Sequence, residues 1–395
     1  MKILVTETNP ASIKDLQAKF NGWGYGVLTA QVGPKTLDMI RNDGIDMVIT
    51  DWMMKRRDGA EFCRKIRKLD TEKYIYTIFL TEREQTKDLV RMFKAGADDF
   101  LTKPFHREEL WGRIKAGMRI LEMENNLRKK NHLLKEANRK IMDDLKYAAN
   151  IQKSFLPNDI PNINGVDVCW EFLPSDQLGG YMLNVLRLDE IHYGIYVLDV
   201  SGHGISAALL SVLLSRLLSE NWDILKIRTK FPPYYYLASP KKVLESLNKK
   251  FPMDSNIGQY FTILYGILNI YQKTFTWSNA GHPYPILINK NGAELLTDAS
   301  GPPIGFFKEP KYQESQLHLE PNQKIILCSD GILDAMNRFD KKFSVSRLKE
   351  IIRKNRKLKL KEILSDIILH LKKWTRGKEG PGDDIILFGF EQKEA

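Results

Sequence analysis

Cysteine is scarce in this chain. Only three occur in 395 residues (Cys63, Cys169, Cys328), far apart and never as a CxxC pair. That excludes a disulfide-stapled scaffold and a thiolate metal knot, and leaves each cysteine as a small buried residue suited to a reducing compartment. Long apolar runs are also lacking. The most apolar stretch, "ISAALLSVLLSRLL", is shorter than a membrane span and is broken by Ser and Arg. The N-terminal "MKILVTETNP" turns polar too early for the apolar core of a signal peptide. The expected location is the cytoplasm, with no membrane partner. A net charge of +11 raises nucleic acid as a partner, but the positive residues are spread along the chain. The densest cluster, "RKNRKLKLKE" from Arg353 to Glu362, reads as the solvated start of a helix, and no nucleic-acid-binding motif accompanies it. No nucleic-acid partner is expected.

What is present is ordinary globular composition, 43% hydrophobic and 28% charged, in a chain long enough for two or three domains. From Met1 to about Ile120, "KILVT", "GVLTA", "DMVIT", "YIYTIFL" and "DFL" read as strands separated by amphipathic segments. Such alternation implies an α/β doubly wound domain with a parallel sheet covered on both faces. Ligands in these folds bind at the carboxyl ends of the strands. The residues there are Glu7 and Thr8, Asp51, Thr81 and Lys103.

"ITDWMMKRRDG", "FLTERE" and "GADDFLTKPF" resemble the receiver domain of bacterial response regulators. The resemblance implies that Asp51 accepts a phosphoryl group from a sensor histidine kinase. Thr81 and Lys103 would contact that group, and Phe100 would shift with the switch. It also implies a cis Lys103–Pro104 bond and a Mg²⁺ held by Glu7 and Asp51. A carboxylate, a divalent cation and a lysine can together neutralise a transferring phosphoryl group. The family usually places two acids after the first strand; the second position here is Thr8, so Mg²⁺ binding is expected to be weakened. Lys55 replaces a usual proline.

Met118 to Ser154 contains neither glycine nor proline. Ile120, Leu127, Leu134, Ile141 and Ala148 recur every seven residues, one seam of a coiled coil. The companion positions Glu124, Asn131 and Asn138 are polar until Leu145 restores the pattern. A helix linking the two halves is expected, either paired with its copy in a homodimer or packed against its own domains.

Beyond Phe155, "HYGIYVLDV", "FTILYGILNI", "TFTWSNAG", "PILIN", "KIILCSD" and "DIILFGF" read as longer, more alternating antiparallel strands, with two helical blocks covering them. The expected fold is an α+β sandwich flanked by helices. Asp199, Asp330 and Asp383 stand at strand boundaries beside turn residues. Three such acids in one domain point to hard-cation chemistry. "PSDQLGG", "VLDVSGHGISAALL", "NAGHPYPIL", "GPPIG", "CSDGILDAMN" and "GDDIILFGF", preceded by "AANIQKSFLP", resemble the SpoIIE/RsbU branch of the PP2C-type serine/threonine phosphatases. The order of receiver, helix and this domain is similar to RssB-type regulators.

That resemblance implies two Mn²⁺ or Mg²⁺ ions with a hydroxide between them that attacks phosphorus directly. Asp199 would bridge both ions, assisted by the Val200 carbonyl. Asp330 and Asp383 would hold the first ion, with Asp384 as a polar companion. Tyr181 stands where an acid should follow "GG", and Asn184 where a second family acid often lies. The second ion is therefore expected to bind weakly. His203 and His282 read as residues that orient their loops rather than as ligands.

The boundaries expected are a receiver at 1–120, a linker helix at 121–154 and a phosphatase domain at 155–395. Two functions follow. One is a receiver-gated phosphoserine/phosphothreonine phosphatase acting on an anti-sigma-factor antagonist. The other is a weak or inactive pseudophosphatase that binds a sigma factor or its regulator as an adaptor. The aromatic, proline-rich stretch from Lys226 to Pro240 has no assignment from sequence.

Overall fold

The computed structural model describes residues 1–395 apart from 8, 55–56, 72, 83–85, 158–160, 175–177, 221, 253–257, 377–382 and 395. Thr8 and Lys55 therefore lie outside the described residues. The chain divides into two compact units, Met1–Lys140 and Ile141–Ala395.

The first unit is built on five parallel strands: β1 (Lys2–Thr6), β2 (Gly26–Thr29), β3 (Met47–Asp51), β4 (Tyr76–Thr81) and β5 (Asp99–Thr102), in the order β2–β1–β3–β4–β5. Between them run α1 (Pro10–Gly22), α2 (Pro34–Asn42), α3 (Gly59–Arg67) and α4 (Thr86–Lys94), and α5 (Arg107–Ser154) follows. Asn9 caps α1 by accepting from the Ala11 N–H at 3.0 Å, with Pro10 in the first turn. Asp58 caps α3 in the same way. The sheet is covered on both faces. Ile3, Val5 and Ile49 pack with Phe20, Leu110 and Ile114, while Leu4 and Val48 pack with Ile40, Phe62 and Ile66. This is the doubly wound fold expected, and it gathers Glu7, Asp51, Thr81 and Lys103 at one edge. The Lys103–Pro104 bond is cis.

The second unit contains two antiparallel five-stranded sheets. Their strands are β6 (Val166–Leu173), β7 (Tyr181–Arg187), β8 (His192–Val200), β9 (Phe261–Asn269), β10 (Thr274–Ala280), β11 (Ile286–Asn289), β12 (Gly292–Leu295), β13 (Glu314–His318), β14 (Lys324–Cys328) and β15 (Ile385–Gln392). One sheet runs β13–β10–β9–β8–β7 and the other β12–β11–β14–β15–β6. Ile263, Phe275 and Trp277 of the first sheet meet Ile325, Leu327, Phe388 and Phe390 of the second. The Phe275 and Phe390 rings are 5.0 Å apart between centroids. The opposite faces are covered too. Leu210 and Leu214 of α6 (Ile205–Glu220) and Val243 and Leu247 of α7 (Pro240–Lys250) join the core of the first sheet. Ile352 of α8 (Ser344–Asn355) and Ile363 and Ile367 of α9 (Leu360–Trp374) pack on Ile286, Ile326 and Leu387. Because both faces are covered, β9 is buried almost throughout, and the alternation expected from sequence is muted. The stretch Lys226–Pro240 forms a hairpin, Lys226–Arg228 paired with Tyr235–Leu237.

Helix α5 starts earlier than its glycine-free stretch suggested. Leu110 and Ile114 are core residues of the first unit. Ile120, Leu127, Leu134 and Ile141 are all exposed. Near its end, Leu145, Ala148 and Ala149 pack with Leu178 and Ala208 of the second unit's own core.

Leu264 is fully buried on the central strand β9. Leu264→Ala is expected to destabilise the second unit by about 2–5 kcal/mol. Its chemical-denaturation transition should move to lower denaturant, with the first unit's transition unchanged.

Candidate active site

Two groups of carboxylates occupy strand ends, one in each unit. In the first unit Lys103 stands between Glu7 and Asp51. Its ammonium donates to Asp51 Oδ1 at 2.6 Å and to Glu7 Oε2. Glu7 is 4% and Asp51 7% exposed, so the charges are held largely out of water. Burial, and a hydrogen bond shared with Glu7, push the Asp51 carboxyl up to about 7. Burial would also raise Glu7, but hydrogen bonds with Asp51 and Lys103 outweigh it and hold Glu7 below its ordinary range. Lys103 is raised despite burial, because both carboxylates favour its charged form. Of the two acids, Asp51 is the one that holds its proton more tightly.

Thr81 is buried at the end of β4, and its carbonyl accepts from the Lys103 N–H at 2.7 Å. Phe100 is half-buried on β5, with its ring edge-on to Phe93 at 5.9 Å and under the Arg113 guanidinium at 6.0 Å.

In the second unit the site is built where β7, β8 and β9 end together. Asp199 on β8 is directly opposite Tyr181 on one side and Thr262 on the other. Such partners share a face of the sheet. Tyr181 is 4% exposed, and its hydroxyl donates to Asp330 Oδ1. Burial and the charges of Asp199 and Asp330 push the phenol far above its ordinary range, so it stays a neutral donor. Asp330 opens a short helix two residues past β14. The buried Ser329 hydroxyl ties this turn to the start of β15, accepting from the Ile386 N–H at 2.9 Å and donating to the Asp384 carbonyl at 3.0 Å. Asp383 is exposed, and its Oδ1 accepts from the Asp384 N–H at 2.8 Å. Asp384 is buried.

The two glycines are required by this crowding. A side chain on Gly179 would overlap the Asp384 carboxylate. One on Gly180 would sit 2.6 Å from the Val200 carbonyl and 3.2 Å from Asp199 Oδ1. Gln152 of α5 holds the same turn, donating to the Gly179 carbonyl at 2.6 Å and to Ser211 Oγ at 3.1 Å.

Charge is concentrated here. Burial, then the charges of Asp330 and Asp383, push the Asp199 carboxyl up to about 8. Burial also raises Asp383, helped by Asp330 and opposed by the Asp384 N–H and by His203. Among the described residues no Lys or Arg forms an ion pair with Asp199, Asp330 or Asp383. Oxygen donors with uncompensated negative charge are what a hard divalent cation takes. Among the same residues, however, no three acids, histidines or cysteines already converge as a metal-holding group. The set fits a cation in charge and donor type, while the Tyr181 hydroxyl stands on Asp330.

Not every residue singled out from sequence joins the cluster. Asn184 is three positions along β7, opposite Tyr196, where its Oδ1 accepts from the Val185 N–H at 2.8 Å. His203 is exposed. His282 is 5% exposed and held neutral, with burial lowering it to about 3. Its Nδ1 pairs with Thr262 Oγ1 at 3.0 Å, and Asn279 brackets its backbone. Sequence reasoning missed Ser329 as the tie beside Asp330 and Gln152 as the clamp on Gly179.

A receiver fold followed by a PP2C-type sandwich with acids at its strand ends defines the class: a response-regulator receiver domain joined to a phosphatase-type domain. Comparison with known families agrees. The response regulator receiver domain matches residues 3–115, and Stage II sporulation protein E (SpoIIE) matches residues 189–393. The chain belongs to the SpoIIE family. Phosphoserine phosphatase RsbP of Bacillus subtilis is 31% identical over 191 residues, covering 48% of this chain and 45% of that protein. Response regulator MprA of a Mycobacterium species is 40% identical over 119 residues, covering 30% of this chain and 51% of that protein. The chain thus spans about half the length of the curated relatives it matches. The SiaA-PP2C domain of Pseudomonas aeruginosa shares the fold, with a TM-score of 0.55 and 20% identity over 65% of this chain and 98% of that one. No helix is long and apolar enough to cross a membrane among the described residues.

The raised Asp51 has a pH consequence. Phosphorylation needs the carboxylate, whose population grows as pH rises through about 7. With acetyl phosphate and limiting Mg²⁺, labelling of Asp51 followed by intact mass is expected to increase from about pH 6 to about pH 8. Flat labelling across that window would contradict the raised Asp51.

Proposed function

We propose that this chain is a two-component response regulator whose receiver controls a metal-dependent phosphoserine/phosphothreonine protein phosphatase domain. The observation that carries the reading is the cluster of Asp199, Asp330 and Asp383 at one end of a SpoIIE-family sandwich, its charge uncompensated by lysine or arginine among the described residues. The name of the relative RsbP, a phosphoserine phosphatase, supports the substrate class. Asp199, the Val200 carbonyl, Asp330 and Asp383 would hold Mn²⁺ or Mg²⁺. The ions would supply charge neutralisation and a water-derived nucleophile for in-line displacement at phosphorus. In the receiver, Glu7 and Asp51 would hold Mg²⁺ while Lys103 and Thr81 contact the phosphoryl group delivered by a sensor histidine kinase. The proposed substrate is an anti-sigma-factor antagonist in a partner-switching pathway.

Within the sandwich, the chain's own residues hold the ligands in place. Gly179 and Gly180 admit the Asp384 carboxylate and the Val200 carbonyl, and Ser329 keeps Asp330 against the start of β15. Tyr181 would weaken the cation site, because its hydroxyl already draws on a lone pair of Asp330 Oδ1 and the phenol offers no charged oxygen in return. A weak second ion and a high metal requirement would follow from the neutral phenol standing where an acid is expected.

One observation favours a second reading. Tyr181 already satisfies Asp330 with a neutral hydrogen bond, as an adaptor without hydrolysis would need. In that case the domain binds a sigma factor or its antagonist as a pseudophosphatase. Turnover of a phosphoserine protein across a Mn²⁺ titration separates the two. The wild type is expected to turn over at high Mn²⁺. Asp199→Ala should lose about a hundred-fold or more, and Tyr181→Asp should need less metal. No wild-type turnover, with a gain in Tyr181→Asp, establishes the adaptor.

The exposed seam Ile120, Leu127, Leu134 and Ile141 on α5 supports a homodimer through the linker. Light scattering at about tens of micromolar should give the mass of two chains, and Leu127→Lys/Leu134→Lys should return it to one. A monomeric wild type removes the linker dimer.

A further inference from the structure

The second unit carries another concave feature, away from the carboxylate cluster and sharing no residue with it. A cavity of about 500 Å³ is lined by the turn after β11, the segment leading into β14 and the connection from α8 to α9. That volume is in the range of small-molecule sites. Its cations come from separate parts of the sequence: Lys290, Lys324, Arg356, Lys357 and Lys359. Its acids are Glu320 and Glu391. Lys324 is buried and taken by Glu391 at 2.8 Å, so this pair cancels. Four cations then face Glu320, and none of the four forms an ion pair among the described residues.

Helix-end chemistry accounts for one of the four. Arg356 follows α8, where a cation suits the negative end of the helix, and it donates to the Arg353 carbonyl at 3.0 Å. Lys357 lies between the C-cap of α8 and the N-cap of α9, and Lys359 is that N-cap. They precede α9, a helix of 15 residues, whose first turn presents unpaired N–H groups and the positive end of the dipole. Lys359 takes the N-cap, where Ser, Thr, Asp or Asn is usual. Glu362 accepts from its backbone N–H at 3.1 Å. Lys290 arrives from an unrelated turn and belongs to no helix end. An anion in the cavity would meet Lys290, Lys357 and Lys359, cations brought to it by two separate loops.

We propose that this cavity binds a small soluble ligand carrying two or more phosphate groups. Four cations spread over two loops match clustered phosphates better than a single one, and a concave site of this volume favours a small molecule over a polymer. The test uses the full-length protein in EDTA, titrated calorimetrically with sodium tripolyphosphate. Saturable one-to-one binding is expected. It should weaken about ten-fold or more in Lys290→Glu/Lys357→Glu and stay unchanged in Lys129→Glu/Lys130→Glu, an equal charge change on the exposed face of α5. Circular dichroism confirms folding, and Lys290→Ala/Lys357→Ala gives the same ordering should the reversal variant misfold. No saturable binding, or equal weakening by both double variants, overturns the site. Co-sedimentation with phosphatidylglycerol vesicles in the absence of tripolyphosphate binding overturns the soluble ligand in favour of a lipid surface.

Discussion

The mutual repulsion of Asp199, Asp330 and Asp383 is the constraint on which the second unit turns. A sandwich gains nothing from collecting like charges at the end of its core, and burial makes the charge on Asp199 costly. The fold nevertheless invests in the arrangement. Two adjacent glycines give up side chains so that a carboxylate and a carbonyl can approach. A fully buried serine ties two strand ends together beside them. Asp199 responds by holding its proton to about 8, and Tyr181 responds by remaining a neutral phenol that donates. Proton, phenol and cation are alternative answers to one electrostatic problem. Tyr181 is therefore part of the electrostatic balance of this carboxylate cluster.

The receiver solves a similar problem with a side chain. Lys103 bridges Glu7 and Asp51, and its own charge is reinforced by both. A buried carboxylate pair with an internal ammonium needs less from an external ion than three carboxylates without one. The two sites should therefore differ in their dependence on metal. In the receiver an internal ammonium already offsets part of the negative charge, whereas in the sandwich only a proton and a phenol do so among the described residues.

Much of this was legible in the sequence because backbone constraints are local. Apolar strand runs and paired glycines declare themselves within a few residues. So did the anomaly at Tyr181, since the glycines before it mark a close approach. Less legible were β6, β7, β12 and β13, short or mixed strands whose pairing depends on distant partners. The roles of Ser329 and Gln152 were hidden for the same reason. Each acts through hydrogen bonds to segments far off in sequence, and neither residue type is distinctive on its own. The strength of the carboxylate coupling was also out of reach, because it arises from burial that no short motif encodes.

Helix α5 gives these local facts a common frame. Its first turns supply Leu110 and Ile114 to the core of the receiver. Its last turns supply Gln152 to the backbone of Gly179, the residue pressed against Asp384. An amide that both donates to the Gly179 carbonyl and accepts from its N–H constrains the turn more than a single contact does. Between those ends the helix exposes an apolar seam and carries no glycine or proline from Met118 onward, so nothing in its sequence favours a break. The turn that precedes Tyr181 is thus held from α5 by Gln152 within the second unit, so the placement of Tyr181 depends on that helix's last turns.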